Sequence, residues 1–356
     1  MKTKLLNSGK KAAGAVAMIA LALIIGAVLV LISGNKPMEA YATIISGAFG
    51  SKLRLSELFI KMIPLTIMAL GISIAYKAQL WNIGADGQFT MGAIASAAIG
   101  IYVELPPFLI VPLSILSAIL AGGLWAGLAG WLKTKFNANE VITTLMLNYI
   151  ATYFLAFLVY GPMMDPQGEL AQSEVLKESL RIPLLFSNYR IHAGIVIMIL
   201  IILLMFFFWK TPLGYKTDLI GQGEKVSTYA GINVKRTIII TMMISGAFAG
   251  LAGWNETYGV QYRLLEGISS GYGDIAVVIA LLGELNPLGI VISSFFFSIL
   301  MVGGSCMQRM TNVPYSIVDV IKGLIIIFVI ARTAFRNTAI KYTMKEWIGR
   351  RKNYAK

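Results

Sequence analysis

Residues 12–32 read AAGAVAMIALALIIGAVLVLI, twenty-one residues without a charge or a proline. As a helix that run is about 30 Å long, the thickness of a bilayer's hydrocarbon core. Lys2, Lys4, Lys10 and Lys11 precede it and Ala40-Tyr41-Ala42 follows, which together look like a secretory leader and its cleavage site. A leader's apolar core has only about 7–15 residues, so the run predicts an uncleaved first transmembrane helix. Further apolar blocks fall at 59–76, 89–103, 108–132, 142–160, 192–209, 237–253, 271–283, 287–304 and 316–332. The expectation is an all-α, polytopic membrane protein of about ten transmembrane helices, with a range of eight to ten. The block at 271–283 is short for a span and reads as a half-helix or a re-entrant segment.

Composition agrees. Of 356 residues 57% are hydrophobic and 13% charged, against about a quarter charged in ordinary soluble domains. The net charge of +13 would raise the question of nucleic acid, but the charges sit at the ends and between apolar blocks. No aromatic–basic interleaving of the kind used to bind single strands accompanies them, so no nucleic-acid partner is expected. Lysine and arginine gather at 1–11, 133–141, 210–236 and 333–356. An even number of spans with both termini inside places all four on the cytoplasmic side. Lys36, Lys52, Arg54 and Lys61 run against this pattern, and much of 33–58 reads as an interfacial helix. No stretch outside the blocks is long enough for a soluble catalytic domain. The chain reads as one membrane domain, 1–356, with a short cytoplasmic N-terminus (1–11) and a basic cytoplasmic tail (333–356).

Chemistry-bearing residues are few. The one cysteine, Cys306, excludes an internal disulfide and a cysteine zinc site, and the one histidine, His192, reads as an interfacial residue rather than a ligand. No metal, no cofactor and no catalytic residue is expected. The polar interest lies in breaks of the apolar pattern. Ala78-Gln79-Leu80-Trp81-Asn82-Ile83-Gly84-Ala85-Asp86-Gly87-Gln88-Phe89 is one, and Gly271-Tyr272-Gly273-Asp274 is a second, loosely matching it in the other half of the chain. Broken helices at membrane depth are tolerated only inside protein or along a water-filled cavity, and in transporters they form substrate sites. A plain turn between helices is the alternative. Asn82, Asp86, Gln88, Asn148 and Asp274 are therefore the candidate solute-path residues. Asn137 or Asn139 suits an N-cap, with Glu140 at the positive helix end. Asn148 lies inside the following span and needs a partner there, from another helix or from solute. Asp319 and Lys322 share a helix face and read as an ion pair. Gly246, Gly250 and Gly253 or Ala249 form a small-residue stripe for close helix packing. Gly221-Gln222-Gly223-Glu224-Lys225 is a near miss for a phosphate-binding loop, with a carboxylate where the motif needs glycine, so it is not read as a nucleotide site. The stretch from Glu224 to Ala230 reads as a short helix able to dock a partner.

Together, Asn82-Ile83-Gly84-Ala85-Asp86-Gly87-Gln88, the stretches 137–148, 214–232 and 245–253, and Ala280-Leu281-Leu282-Gly283 resemble the permease subunits of bacterial ATP-binding-cassette importers. The branch is that for simple sugars, nucleosides and branched-chain amino acids, and the first two stretches look most like its nucleoside permeases. The resemblance covers roughly 60–332. It implies a bacterial cytoplasmic membrane protein paired with a second permease, often a related chain forming a heterodimer. It also implies partner ATPase subunits and an extracytoplasmic substrate-binding lipoprotein. The coupling helix that meets the ATPase would include Gly221, Gln222, Glu224, Lys225, Ser227, Ala230 and Gly231. Thr217-Asp218-Leu219-Ile220 departs from the usual pattern of that loop. Importers of the same type for a simple sugar and an ion-coupled secondary transporter are the alternative readings. A single histidine weighs against an intramembrane enzyme.

Overall fold

The computed structural model describes residues 2–336 except 169, 187 and 312. Residues 337–356, most of the expected basic tail, lie outside the described residues. In chain order the helices are α1 (Lys2–Ile32), α2 (Pro37–Phe49), α3 (Lys52–Lys77), α4 (Ala85–Tyr102), α5 (Pro107–Phe136), α6 (Glu140–Tyr160) and α7 (Gly194–Phe208). Then come α8 (Pro212–Gln222), α9 (Glu224–Tyr229), α10 (Val234–Glu256), α11 (Tyr272–Leu282), α12 (Pro287–Met310) and α13 (Ser316–Arg336). A π turn, Thr257–Gln261, continues α10. Among the described residues only isolated bridges accompany the helices, with no named strand.

Every one of the ten apolar blocks falls on a helix. Length and apolarity together set a stricter test. Among the described residues five helices pass it alone: α3, α5, α6, α10 with its π turn, and α12. Two bent pairs bring the number to seven: Ala17–Ile32 with α2, bent by 117°, and α7 with α8, bent by 69°. Two of the blocks fall short for physical reasons. Eleven residues give α11 a length of about 16 Å, half a bilayer, and α4 opens on Asp86, Gln88 and Thr90.

The chain divides into two compact units, Ala48–Val302 and a second made of Met1–Gly47 with Gly303–Lys356. In the larger unit α3 is buried along most of its length, from Leu58 to Tyr76. Helices α5 and α10 pack closely through the small-residue stripe. A Cβ on Gly250 would overlap the Ala118 carbonyl, and one on Gly246 would overlap the Gly122 carbonyl, so backbone meets backbone. Gly253 meets the Phe89 carbonyl of α4 in the same way. Outward-facing Tyr149, Tyr153 and Phe157 on α6, with Leu200, Leu203 and Phe207 on α7, remain exposed, as lipid-facing side chains are. In the smaller unit the Tyr41 hydroxyl of α2 donates to the Leu23 carbonyl of α1. On α13 Lys322 and Asp319 form the expected ion pair at 2.6 Å.

Candidate functional site

The break between α3 and α4 is built from its own amides. Asn82 is fully buried, and its Nδ2 donates to Gln88 Oε1 (3.0 Å) and to Ser245 Oγ of α10 (2.9 Å). Its Oδ1 accepts from Gln88 Nε2 (2.8 Å) and from the Gly84 amide (3.1 Å). Asn82 and Gln88 thus satisfy each other across the break, and the chain leaves α3 and enters α4 with few loose polar groups. Helix α6 supports the same turn. Asn148 Oδ1 accepts from the Gly87 amide (2.8 Å), and its Nδ2 donates to the Ile83 carbonyl (3.0 Å). Thr144 Oγ1 accepts from the Ile83 amide at 3.3 Å. Asn148 therefore has helix-packing partners for both ends of its amide.

Asp86 joins the two breaks. Its Oδ1 accepts from the Gly273 amide at 2.9 Å, in the first turn of α11. The starts of α4 and α11 meet at this carboxylate, so two positive helix ends face one another with a negative group between them. The paired interruptions of the sequence are neighbours in space. Asp86 is half-buried, while Asp274 is exposed on the first turn of α11. Beside them Lys61 of α3 donates to the Tyr272 hydroxyl. Of the five candidate path residues, Asn82, Gln88, Asn148 and Asp86 are engaged inside the fold, and Asp274 is exposed. Lys61, and Glu256 near the end of α10, also belong to this part of the bundle: the two interact electrostatically. Both were visible in the sequence as ionisable residues interrupting apolar segments, the ordinary mark of function in a membrane protein.

The second candidate region is α8–α9. Gly223, at φ 148°, ends α8, and α9 follows at once. Gln222, Glu224, Lys225, Ala230 and Gly231 are exposed, as are Val226 and Tyr229, the last at 93%. Ser227 is buried instead, its hydroxyl donating to the Gly223 carbonyl at 3.0 Å. Gly221 packs on the Lys77 carbonyl at the end of α3. The expected coupling residues therefore divide into an outward set and two that fix the loop to the bundle. At the start of α6 it is Asn139 that caps, accepting from the Val141 amide at 2.9 Å, while Asn137 ends α5 in the left-handed conformation. Glu140 additionally pairs with Lys133 at 2.8 Å.

Residues 54–330 match the family described as branched-chain amino acid transport system / permease component. The chain belongs to that family. It is similar to a guanosine ABC transporter permease of Bacillus subtilis, 33% identical over 89% of this chain and 92% of the relative. A nucleoside ABC transporter permease of Lactococcus lactis is 31% identical over 86% of this chain and 87% of its own length. A glucose ABC transporter permease of Haloferax volcanii is also 31% identical, over 88% and 86%. The protein is accordingly an ABC transporter permease subunit, and its apolar helices make it a multi-pass membrane protein. Among the described residues of this permease no three His, Cys, Asp or Glu side chains gather as a metal site.

Proposed function

We propose that this permease carries a nucleoside inward across the bacterial cytoplasmic membrane. In this reading it works beside a second, related permease chain. Partner ATPase subunits supply the energy, and an extracytoplasmic lipoprotein delivers the solute. The observation that carries the substrate is the likeness to the guanosine permease, extending over nearly the whole length of both chains. The glucose permease relative favours a simple sugar as the second reading. The chain acts as one permease domain of ten membrane-inserted segments, two of them, α4 and α11, starting at internal breaks, with both ends in the cytoplasm. The lysine and arginine distribution supports that orientation.

In this reading the half-buried Asp86 and the exposed Asp274 touch the passing solute, and Asn82, Gln88 and Asn148 hold the break that positions them. Exposed α9 meets the ATPase, so closure of the nucleotide-bound ATPases moves α8–α9 and, through Gly221 on Lys77, the end of α3. The test is uptake of tritiated guanosine into proteoliposomes holding the purified importer. Uptake that needs enclosed ATP and loaded receptor is the expected result. Uptake by this chain alone, driven by a proton or sodium gradient, refutes it. A receptor that retains glucose and ignores guanosine moves the substrate to the sugar reading.

A further inference from the structure

The end of α10 carries further buried polar side chains, of which Glu256 couples to Lys61 beside the helix breaks while Asn255 faces the start of α7. His192, Asn255 and Glu256 are all buried, at 0%, 0% and 1% exposure. His192 Nε2, both Asn255 Oδ1 and Nδ2, and Glu256 Oε2 have no hydrogen-bond partner in the protein. Buried polar atoms are almost always paired, with protein or with ordered water. Four orphans on three side chains, two of them adjacent residues, are therefore a signal.

The cluster is built rather than incidental. Asn255 Oδ1 and the His192 ring both press on the space that a side chain at Gly194 would fill. The same ring lies against Gly259 in the π turn, 2.9 Å from His192 Nε2 to the place of a Cβ. Two glycines thus bring the start of α7 and the π turn up to the imidazole. Turns of this kind recur at functional sites. Glu256 Oε1 is held by Gln261 Nε2 at 3.0 Å, across the π turn, which leaves Oε2 as the open acceptor. Arg190, paired with Glu57 at 2.9 Å, acts electrostatically on both His192 and Glu256.

The donor and acceptor pattern defines the ligand. His192 Nδ1 accepts from the Gly194 amide at 3.1 Å, so Nε2 carries the proton of the neutral ring and donates. Burial keeps that ring neutral, with its pKa pushed down to about 4. Beside that Nε2–H, Asn255 offers one donor group and one acceptor. An occupant must both give and take hydrogen bonds. A hydroxyl oxygen does this; an anion has no proton to give.

We propose that His192 and Asn255 form a binding site for a hydroxyl oxygen, supplied by an ordered water or by a ring hydroxyl of a sugar-bearing solute in transit. Only the solute source rests on the import reading above. The experiment compares wild type with Asn255→Leu, close in volume, in the complete importer in lipid nanodiscs. If a hydroxyl fills the site, leucine strands it from two of its partners, and the melting temperature falls by roughly 2–4 °C. If the site is empty, leucine removes two orphaned atoms, the melting temperature rises, and the proposal is overturned. A cryo-electron microscopy map of the wild-type complex at water-resolving resolution serves where the variant does not assemble. An oxygen within about 3.2 Å of two or more of His192 Nε2, Asn255 Oδ1 and Asn255 Nδ2 supports the site. Density present without solute identifies water. Density that appears only with uridine-loaded receptor identifies a solute hydroxyl. No density in either state overturns the proposal, and because the water arm is independent of the cargo, a failed uridine assay leaves it intact.

Discussion

Replacing Asn82 by leucine tests how the α3–α4 break is held. The side chain joins four hydrogen bonds of 2.8–3.1 Å, to Gln88 twice, to Ser245 and to the Gly84 amide. Leucine is of similar size, so little cavity forms and the loss is chiefly polar. It leaves the Gln88 amide, 1% exposed, and the Gly84 N–H without their partner. A buried orphan costs about 1–3 kcal/mol, whereas interhelical hydrogen bonds in membranes average nearer 0.6 kcal/mol because the unfolded chain in lipid also finds partners. The expected destabilisation lies between these bounds, at about 2–4 kcal/mol. Reversible unfolding by sodium dodecyl sulfate from mixed micelles reads it. Gln88→Leu completes a double-mutant cycle. Because each amide is the other's main partner, the double variant is expected to be more stable than the sum of the singles by about 1–2 kcal/mol. An additive cycle, or an Asn82→Leu protein as stable as wild type, refutes the reciprocal-amide account of the break.

Gly250→Ala places a methyl on the Ala118 carbonyl and is expected to cost about 1–3 kcal/mol by overpacking; Gly323→Ala, with open space around it, is expected to cost nothing in the same titration. His192 titrates at about 4 in the folded protein against 6.5 unfolded, so the unfolded chain binds the extra proton. Stability is then full above pH 6.5 and falls as pH drops toward 4, by about 3 kcal/mol; pH-dependent unfolding of His192→Gln is expected to lose that component, and an unchanged profile rules it out. Ser227→Pro removes the amide that donates to the Gly223 carbonyl in α9, and Glu224→Arg reverses an exposed charge at its first turn. Each is expected to cut nucleoside uptake at least tenfold (about 1.4 kcal/mol) while ATP hydrolysis continues; normal uptake in both refutes the docking role of α9.

The sequence was most legible where physics is local. Runs such as 12–32 and 108–132 carry their own hydrogen bonds as helices and need only an apolar surround, so each apolar block appears as a helix. Caps were readable to within two residues: of Asn137 and Asn139, it is Asn139 that accepts from the first turn of α6. Gly246 and Gly250 were legible as packing glycines because only a missing side chain lets two backbones touch. Span counting was less secure, since a bent pair such as α7 and α8 and a half-length helix such as α11 follow tertiary packing rather than apolar length alone.

What the sequence could not assign was partnership. Asn82, Gln88 and Asn148 look the same whether an amide faces solute or another amide; Asn82 bonds Gln88 and Ser245, 6 and 163 residues along the chain, and Asn148 bonds Gly87, 61 residues away. Asp86 and Gly273 lie 187 residues apart; two breaks in one sequence do not say whether their helix starts meet. His192, read alone, was an interfacial residue, and only folding set it beside Asn255 and the π turn. The sequence by itself determined a membrane-embedded helical bundle, because hydropathy and helix length act within one segment, and its motifs resembled those of importer permeases. The tertiary structure decided which polar groups hold the breaks, which stay open to a ligand and which face a partner, because hydrogen bonding between segments depends on distances that only the packed bundle defines.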